Sequence, residues 1–116
     1  MNLSASTDGK AIKIGATSSP GTLLHTATSS STPGAGGIWD EIWLWAYCAN
    51  AQDMILSIEF GGATSPDNRI VEVHMPKAGV YPIVSGLILQ NSTTVKAFSA
   101  GTNAFMISGF VNRITN

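Results

Sequence analysis

The amino-acid sequence predicts an all-β protein, a single antiparallel β-sandwich of about eight strands with a jelly-roll-like arrangement. Short apolar runs rich in β-branched and aromatic residues recur along all 116 residues. Clusters of Gly, Pro, Asn and Asp separate these runs and are typical of turns. No window has a helical i, i+3, i+4, i+7 apolar stripe free of Gly and β-branched residues, so the crossover helices of a parallel sheet are not expected.

Eight apolar runs are the predicted strands. They cover residues 11–17, 22–28, 41–49, 54–60, 69–75, 80–90, 94–98 and 104–114. The run 54–60 shows the alternation most clearly, because Leu56 and Ile58 fall on one face while Ser57 and Glu59 fall on the other. This period of two predicts a strand with one buried side and one side in water.

The run 41–49 is apolar on both faces. One face carries Ile42, Leu44, Ala46 and Cys48, and the opposite face carries Trp43, Trp45 and Tyr47. Such a strand is covered on both sides, either by other parts of the same chain or, on its aromatic side, by another protein. Because aromatic residues are enriched at interface centres, Trp43, Trp45 and Tyr47 are the candidate interface residues.

Two segments differ from the body of the chain. Residues 1–10 are polar and without periodicity, which predicts an N-terminal arm in front of a sandwich domain over residues 11–116. Residues 29–37 predict a flexible loop. The chain shows neither a signal-peptide core nor a run of about 20 apolar residues, so we expect a soluble protein made in the cytoplasm, with no membrane partner.

The charge content is low. Charged residues make up 11% of the chain, and the net charge is −1. With so little repulsion between copies, the surface is suited to packing against protein. The six Lys and Arg residues form no run or stripe, which argues against nucleic acid as a partner.

The residues capable of chemistry do not form a recognisable set. Asp40 and Glu41 are neighbours that point to opposite faces of a strand, so they cannot act as an acid–base pair, and we expect them to be solvated at the strand entrance. His25 and His74 have no second metal ligand at a short spacing. Cys48 has no partner for a disulfide and is expected to be buried filler. The sequence therefore predicts no catalytic residues, no metal and no cofactor.

Several segments resemble those of a known group of proteins. They are GTLLHTAT, DEIWLWAYCAN, LSIEFGG, TSPDNRI, VSGLILQN, TVKAFSA and SGFVNRI, which together lie within residues 21–114. In this order they resemble small virion structural proteins of tailed double-stranded DNA bacteriophages. The resemblance implies a capsid cement or decoration protein: a homotrimer that binds the major capsid protein on the outer head shell of the virion.

Three other functions are compatible with the same residues. The first is a structural protein of the phage tail, neck or fibre. The second is a carbohydrate-binding β-sandwich module, since exposed Trp and Tyr rings can stack on sugars. The third is an enzyme, which we do not expect because no nucleophile–base set is present.

Overall fold

The computed structural model describes residues 1–34, 36–49, 54–64, 68–75 and 79–115, with the side chains of residues 69–75 left out of the description. These residues contain eight β-strands and no helix. The strands are β1 (Ile12–Lys13), β2 (Thr22–Thr26), β3 (Ile38–Cys48), β4 (Met54–Phe60), β5 (Arg69–Met75), β6 (Val80–Leu89), β7 (Thr94–Ser99) and β8 (Phe105–Thr115).

The strands form two antiparallel sheets. One has the order β1-β8-β3-β6 and the other the order β2-β7-β4-β5. The longest pairing joins β3 to β8 in unbroken register, from Ile38 opposite Thr115 to Cys48 opposite Phe105. The predicted all-β class and antiparallel pairing are therefore confirmed.

Both sheets contribute inward-facing side chains to one hydrophobic core. Its buried members are Leu3, Ile14, Leu24, Ile42, Leu44, Ala46, Cys48, Leu56, Ile58, Val84, Val95, Ala97, Ala104, Phe105, Ile107 and Val111. Each Leu, Ile, Val or Phe in this cluster contributes roughly 1.5–3 kcal/mol by leaving water. Cys48 is fully buried, as predicted.

Strand β3 begins earlier than predicted. It starts at Ile38, so Asp40 lies inside the strand, on the same face as Ile42, and its side chain is fully buried. The expectation that Asp40 is solvated at the strand entrance is therefore wrong. Residues 38–40 join the strand because the partner β8 continues to Thr115 and supplies backbone groups to pair with them.

The prediction that one face of β4 lies in water is also wrong. Ser57 and Glu59 are 4% and 1% exposed. Strand β4 lies between β7 and β5, and the turn after β1 covers its outer side. There the Ser19 hydroxyl donates a hydrogen bond to the Glu59 carboxylate, and the Gly21 N–H donates a second one at 2.7 Å. These two donors compensate Glu59 for the water it has lost.

Residues 1–5 pack against the sandwich of their own chain, although the sequence predicted an arm over residues 1–10. Asn2 forms a bridge with Phe110 of β8, and the side chain of Leu3 is 1% exposed within the core. The Ala5 N–H then donates to the Leu24 carbonyl of β2. The segment therefore spans both sheets. The buried Leu3 side chain and the backbone hydrogen bonds of Met1 and Ala5 hold the segment in place. Leu3 has no periodic apolar neighbour, so the sequence pattern does not reveal its burial.

The loop over residues 29–37 is fastened at its ends, with Ala35 outside the described residues. The Ile38 N–H donates to the Ser30 hydroxyl at 3.3 Å, and the Gln90 amide donates to the Ile38 carbonyl at 3.0 Å.

The described residues form no helix that is long and apolar enough to cross a membrane.

Candidate functional site: the aromatic face of one sheet

The outer surface of the β1-β8-β3-β6 sheet is largely apolar, with polar positions at Lys13, Glu41, Ser85, Ser108 and Asn112. Along β3 the inward side chains are fully buried, while the outward ones are partly exposed. Strands β8 and β6 add apolar residues beside them. We call this surface the aromatic face, and it consists of Trp43, Trp45 and Tyr47 of β3, Phe110 of β8, and Val80 and Ile88 of β6.

The structure places the three predicted interface residues together on this face. Trp43 and Trp45 are half-buried, and Tyr47 is 39% exposed. The period of two in β3 is sufficient to put them on one side, as the sequence predicted. The prediction that they contact another protein stays a prediction.

Phe110, like Val80 and Ile88, was not among the interface residues predicted from the sequence. It lies opposite Trp43 in the β3–β8 register, and the two ring centroids are 6.0 Å apart with the rings inclined by 8°. The centroid of Trp45 is 5.8 Å from that of Phe110, with a 25° inclination. Such ring pairs contribute about 0.5–1.5 kcal/mol each beyond the area they bury. Only the strand register, which no local pattern specifies, brings Phe110 between the two indoles.

Hydrogen bonds join the polar groups of Glu41, Trp43 and Asn112 on this face. One carboxylate oxygen of Glu41 accepts a hydrogen bond from the Trp43 indole N–H at 2.7 Å and another from the Asn112 amide at 3.1 Å. The Trp43 hydrogen bond, with that of Asn112, lowers the pKa of Glu41 below its ordinary value. The indole donor and one carboxylate oxygen therefore have partners, and the lowered pKa keeps Glu41 ionised, so a surface that covers Glu41 must offer its carboxylate a hydrogen-bond donor or leave it in water.

The exposed apolar side chains of the face are distributed over three strands. Val80 and Ile88 are 62% and 52% exposed, and Phe110 is 39% exposed. Val80 lies opposite Tyr47, and Ile88 lies opposite Glu41. Strand spacings spread the face over about 20 Å along β3 and about 15 Å across three strands, or roughly 300 Å² with its polar positions included. The largest apolar patch on a soluble protein is usually about 300–600 Å² and is often functional.

A second group of polar residues lies inside the molecule. Asp40 of β3 accepts hydrogen bonds from His25 Nε2 at 2.8 Å, from the Thr28 N–H at 3.1 Å, and from two guanidinium nitrogens of Arg113 at 2.7 and 3.0 Å. Because His25 belongs to β2, this cluster joins the two sheets. Burial raises the pKa of Asp40, but the hydrogen bonds and positive charge of Arg113, together with His25, outweigh that effect and lower the pKa below its ordinary value.

The His25–Asp40 pair has the composition of a catalytic dyad but not its geometry. The Ser4 N–H donates to His25 Nδ1 at 3.0 Å, and the other ring nitrogen faces Asp40. Neither ring nitrogen is left to take a proton from a substrate, and both side chains are fully buried. The His25–Asp40 pair therefore has the structural role of linking the two sheets.

The remaining sequence candidates do not come together. Within the described residues, no three His, Cys, Asp or Glu side chains cluster at metal-binding distance. The ring of His74 lies outside the described side chains. Comparisons of this chain with protein-family models, with curated proteins and with solved structures give no match.

Proposed function

We propose that this chain is a virion structural protein of a tailed double-stranded DNA bacteriophage, a capsid cement or decoration protein that binds the outer head shell and stabilises it. The observation that carries the proposal is the aromatic face, a largely apolar surface with exposed Tyr47, Phe110, Val80 and Ile88. Covering a surface of this kind with protein removes apolar area from water, which is favourable. The proposed role is structural and involves no catalysis.

The proposed partners are the major capsid protein and further copies of this chain in a homotrimer. A specific protein contact usually buries about 1,600 Å² in total. A trimer that engages several capsid subunits at once raises the effective concentration of each contact, so individually weak contacts give firm attachment. Attachment across seams between subunits would resist the pressure of packaged DNA.

We further propose that the sandwich is a jelly roll. Its support is the strand pairing, in which β1 pairs with β8, β2 with β7, β3 with β6, and β4 with β5. Such pairing is that of one long antiparallel hairpin rolled into two sheets. Jelly rolls of eight strands recur in viral capsid domains and in lectins.

Two alternatives share parts of this support. A tail, neck or fibre protein would use the same face, and the number of copies per particle separates it from a head protein. A carbohydrate-binding module would use the exposed rings of Tyr47 and Phe110. Binding of sugars is less well supported, because Trp43 and Trp45 stack on Phe110 and the aliphatic Val80 and Ile88 lie alongside.

The experiment that tests the proposal uses head shells of the encoding phage that lack this protein. Purified chain is added, and binding is measured by co-sedimentation and shell stability by heat-induced release of DNA. We expect saturable binding and release at a higher temperature. The variant Phe110→Ser should bind more weakly, whereas Leu23→Ser should bind normally, because Leu23 has the same 39% exposure but lies on β2 in the other sheet.

Failure of the wild-type chain to bind shells would remove the head assignment. Binding of Phe110→Ser at wild-type strength would show that the aromatic face is not the surface that carries the function.

A further inference from the structure

We propose that the protein covering the aromatic face places an arginine side chain on Glu41, between the indole rings of Trp39 and Trp43. We call these three residues the Glu41 site. The inference deepens the proposed function, on which it rests for naming the major capsid protein as the source of the arginine. Binding of a guanidinium group at the Glu41 site is a property of the purified chain and can be tested without any capsid.

The alternation of β3 places the three side chains of the site in one row. Trp39, Glu41 and Trp43 occupy alternate positions on the outward side of the strand, and each is half-buried. Successive side chains on one side of a strand are about 7 Å apart. The carboxylate therefore lies between two large aromatic side chains, and Ile88, which is 52% exposed, lies opposite it on β6.

Two hydrogen bonds hold the carboxylate of Glu41 in place. Trp43 and Asn112 both donate to the same oxygen, Oε1, at 2.7 and 3.1 Å. No hydrogen bond from the part of the chain that the structure describes reaches the other oxygen, Oε2. Because the same two hydrogen bonds lower the pKa of Glu41, the group carries a negative charge at neutral pH. The site thus presents one oxygen of an ionised, oriented carboxylate to a partner.

The ring of Trp43 is fixed without any partner. It stacks on Phe110, and it lies so close to Gly86 of β6 that a Cβ on this glycine would be 3.0 Å from the indole atom Cζ2. Gly86 also has a φ of +75°, in the region that favours glycine. A site whose groups are already ordered loses little conformational entropy when it binds.

The outer surface of this sheet does not neutralise Glu41. Among the outward side chains of the described strands in the sheet, the one cation is Lys13 of β1. Lys13 lies in the same row as Tyr47, six positions along β3 from Glu41, or about 20 Å away. Arg113 directs its guanidinium to the buried Asp40 instead. The charge of Glu41 is therefore left for a partner to balance.

An arginine matches both the charge and the rings of the Glu41 site. Covering an ionised carboxylate with a purely apolar surface is unfavourable, because the charge loses water and gains no partner. A guanidinium group supplies N–H donors to Oε2, and its planar face can rest on an indole ring. It is also less strongly hydrated than the ammonium group of lysine, so it moves more easily onto an apolar surface.

The first test uses a small probe and the purified chain. Isotope-labelled protein is titrated with N-acetyl-arginine amide at neutral pH, and NMR follows the indole N–H signal of Trp43, which donates to Glu41. We expect a saturable shift. N-acetyl-citrulline amide, which has nearly the same shape but no charge, should bind roughly tenfold more weakly. The indole signal of Trp45, farther along β3, should move much less.

Two variants serve both this titration and the binding of head shells. Glu41→Gln keeps the size of the side chain and removes its charge. It should lose the preference for the arginine probe and bind shells roughly tenfold more weakly, with less dependence on NaCl concentration than the wild type. Asp8→Asn is the matched control, because it removes one exposed negative charge outside the strands, and it should behave as the wild type in both assays. Near-UV circular dichroism establishes that each variant is folded.

Several results would overturn the inference. They are an absent probe response, equal responses to the arginine and citrulline amides, an unchanged preference in Glu41→Gln, and shell binding by Glu41→Gln at wild-type strength. The last of these would leave the proposed function standing, because the wild-type chain would still bind shells. A wild-type chain that binds the arginine probe selectively but binds no shell would remove the proposed function and keep the Glu41 site.

Discussion

Replacing Asp40 with Asn should weaken the fold far more than replacing its neighbour Glu41 with Gln. Asp40→Asn keeps the size of the side chain but removes the negative charge that two guanidinium nitrogens of Arg113 contact at 2.7 and 3.0 Å. Loss of one partner from a buried ion pair typically costs 3–5 kcal/mol. The Arg113 side chain is 42% exposed and can turn toward water, so the lower end applies, about 3 kcal/mol.

The assay is urea unfolding at neutral pH, followed by tryptophan fluorescence. The midpoint should fall while the slope m stays constant, because the surface exposed on unfolding is unchanged. For a domain of this size, a loss of about 3 kcal/mol corresponds to a melting temperature lower by roughly 10 °C. Glu41→Gln should change the midpoint little, since Glu41 lies on the outer face. Equal stability of Asp40→Asn and the wild type would refute the assignment of Asp40 as a residue that links the two sheets.

The pH dependence of the same variant has a defined sign. The pKa of Asp40 is lower in the folded chain than its ordinary value of 3.8. A carboxyl group of this kind stabilises the fold above its unfolded pKa, and the stabilisation is lost as the pH falls through the folded pKa. The difference between wild type and Asp40→Asn should therefore be full at neutral pH and shrink below about pH 4. A difference that grows with acidity would contradict this account.

Two further substitutions test the core and the β3–β8 pairing. Leu3→Ala should destabilise the fold by about 3 kcal/mol in urea unfolding, because it leaves a cavity at a buried site. Leu23→Ala, on the surface, should have little effect. Equal effects of the two substitutions would show that residues 1–5 are not part of the core. Gly109→Ala should prevent folding or greatly lower the melting temperature, since a Cβ there would collide with the backbone carbonyl of Trp43, whereas at Gly15 the nearest atom would be at an ordinary 3.7 Å. Soluble Gly109→Ala with a wild-type melting curve would contradict the close approach of β3 and β8.

Strand positions and the two faces of β3 could be predicted from the sequence, because both depend on local alternation. The period of two is enough to separate Trp43 and Trp45 from Leu44. The antiparallel partner of β3 is not local information. Phe110 is 67 positions from Trp43 in the chain (110 − 43), and only the register with β8 makes them neighbours.

The buried polar cluster could not be predicted for the same reason. His25 and Arg113 are 15 and 73 positions from Asp40. Next to Glu41, Asp40 has the sequence pattern of a solvated strand end. Burial of a charged side chain depends on partners brought from other strands, and a single-strand pattern contains no trace of them.

Electron cryomicroscopy of virions from the encoding phage tests the central claim most directly. We predict density for this chain in many copies over the outside of the head, with Phe110 and Tyr47 covered by protein. A map in which the chain is present but these two rings face open solvent would contradict the claim that the aromatic face is an assembly surface. Virions that contain no copy of the chain would contradict the structural role altogether.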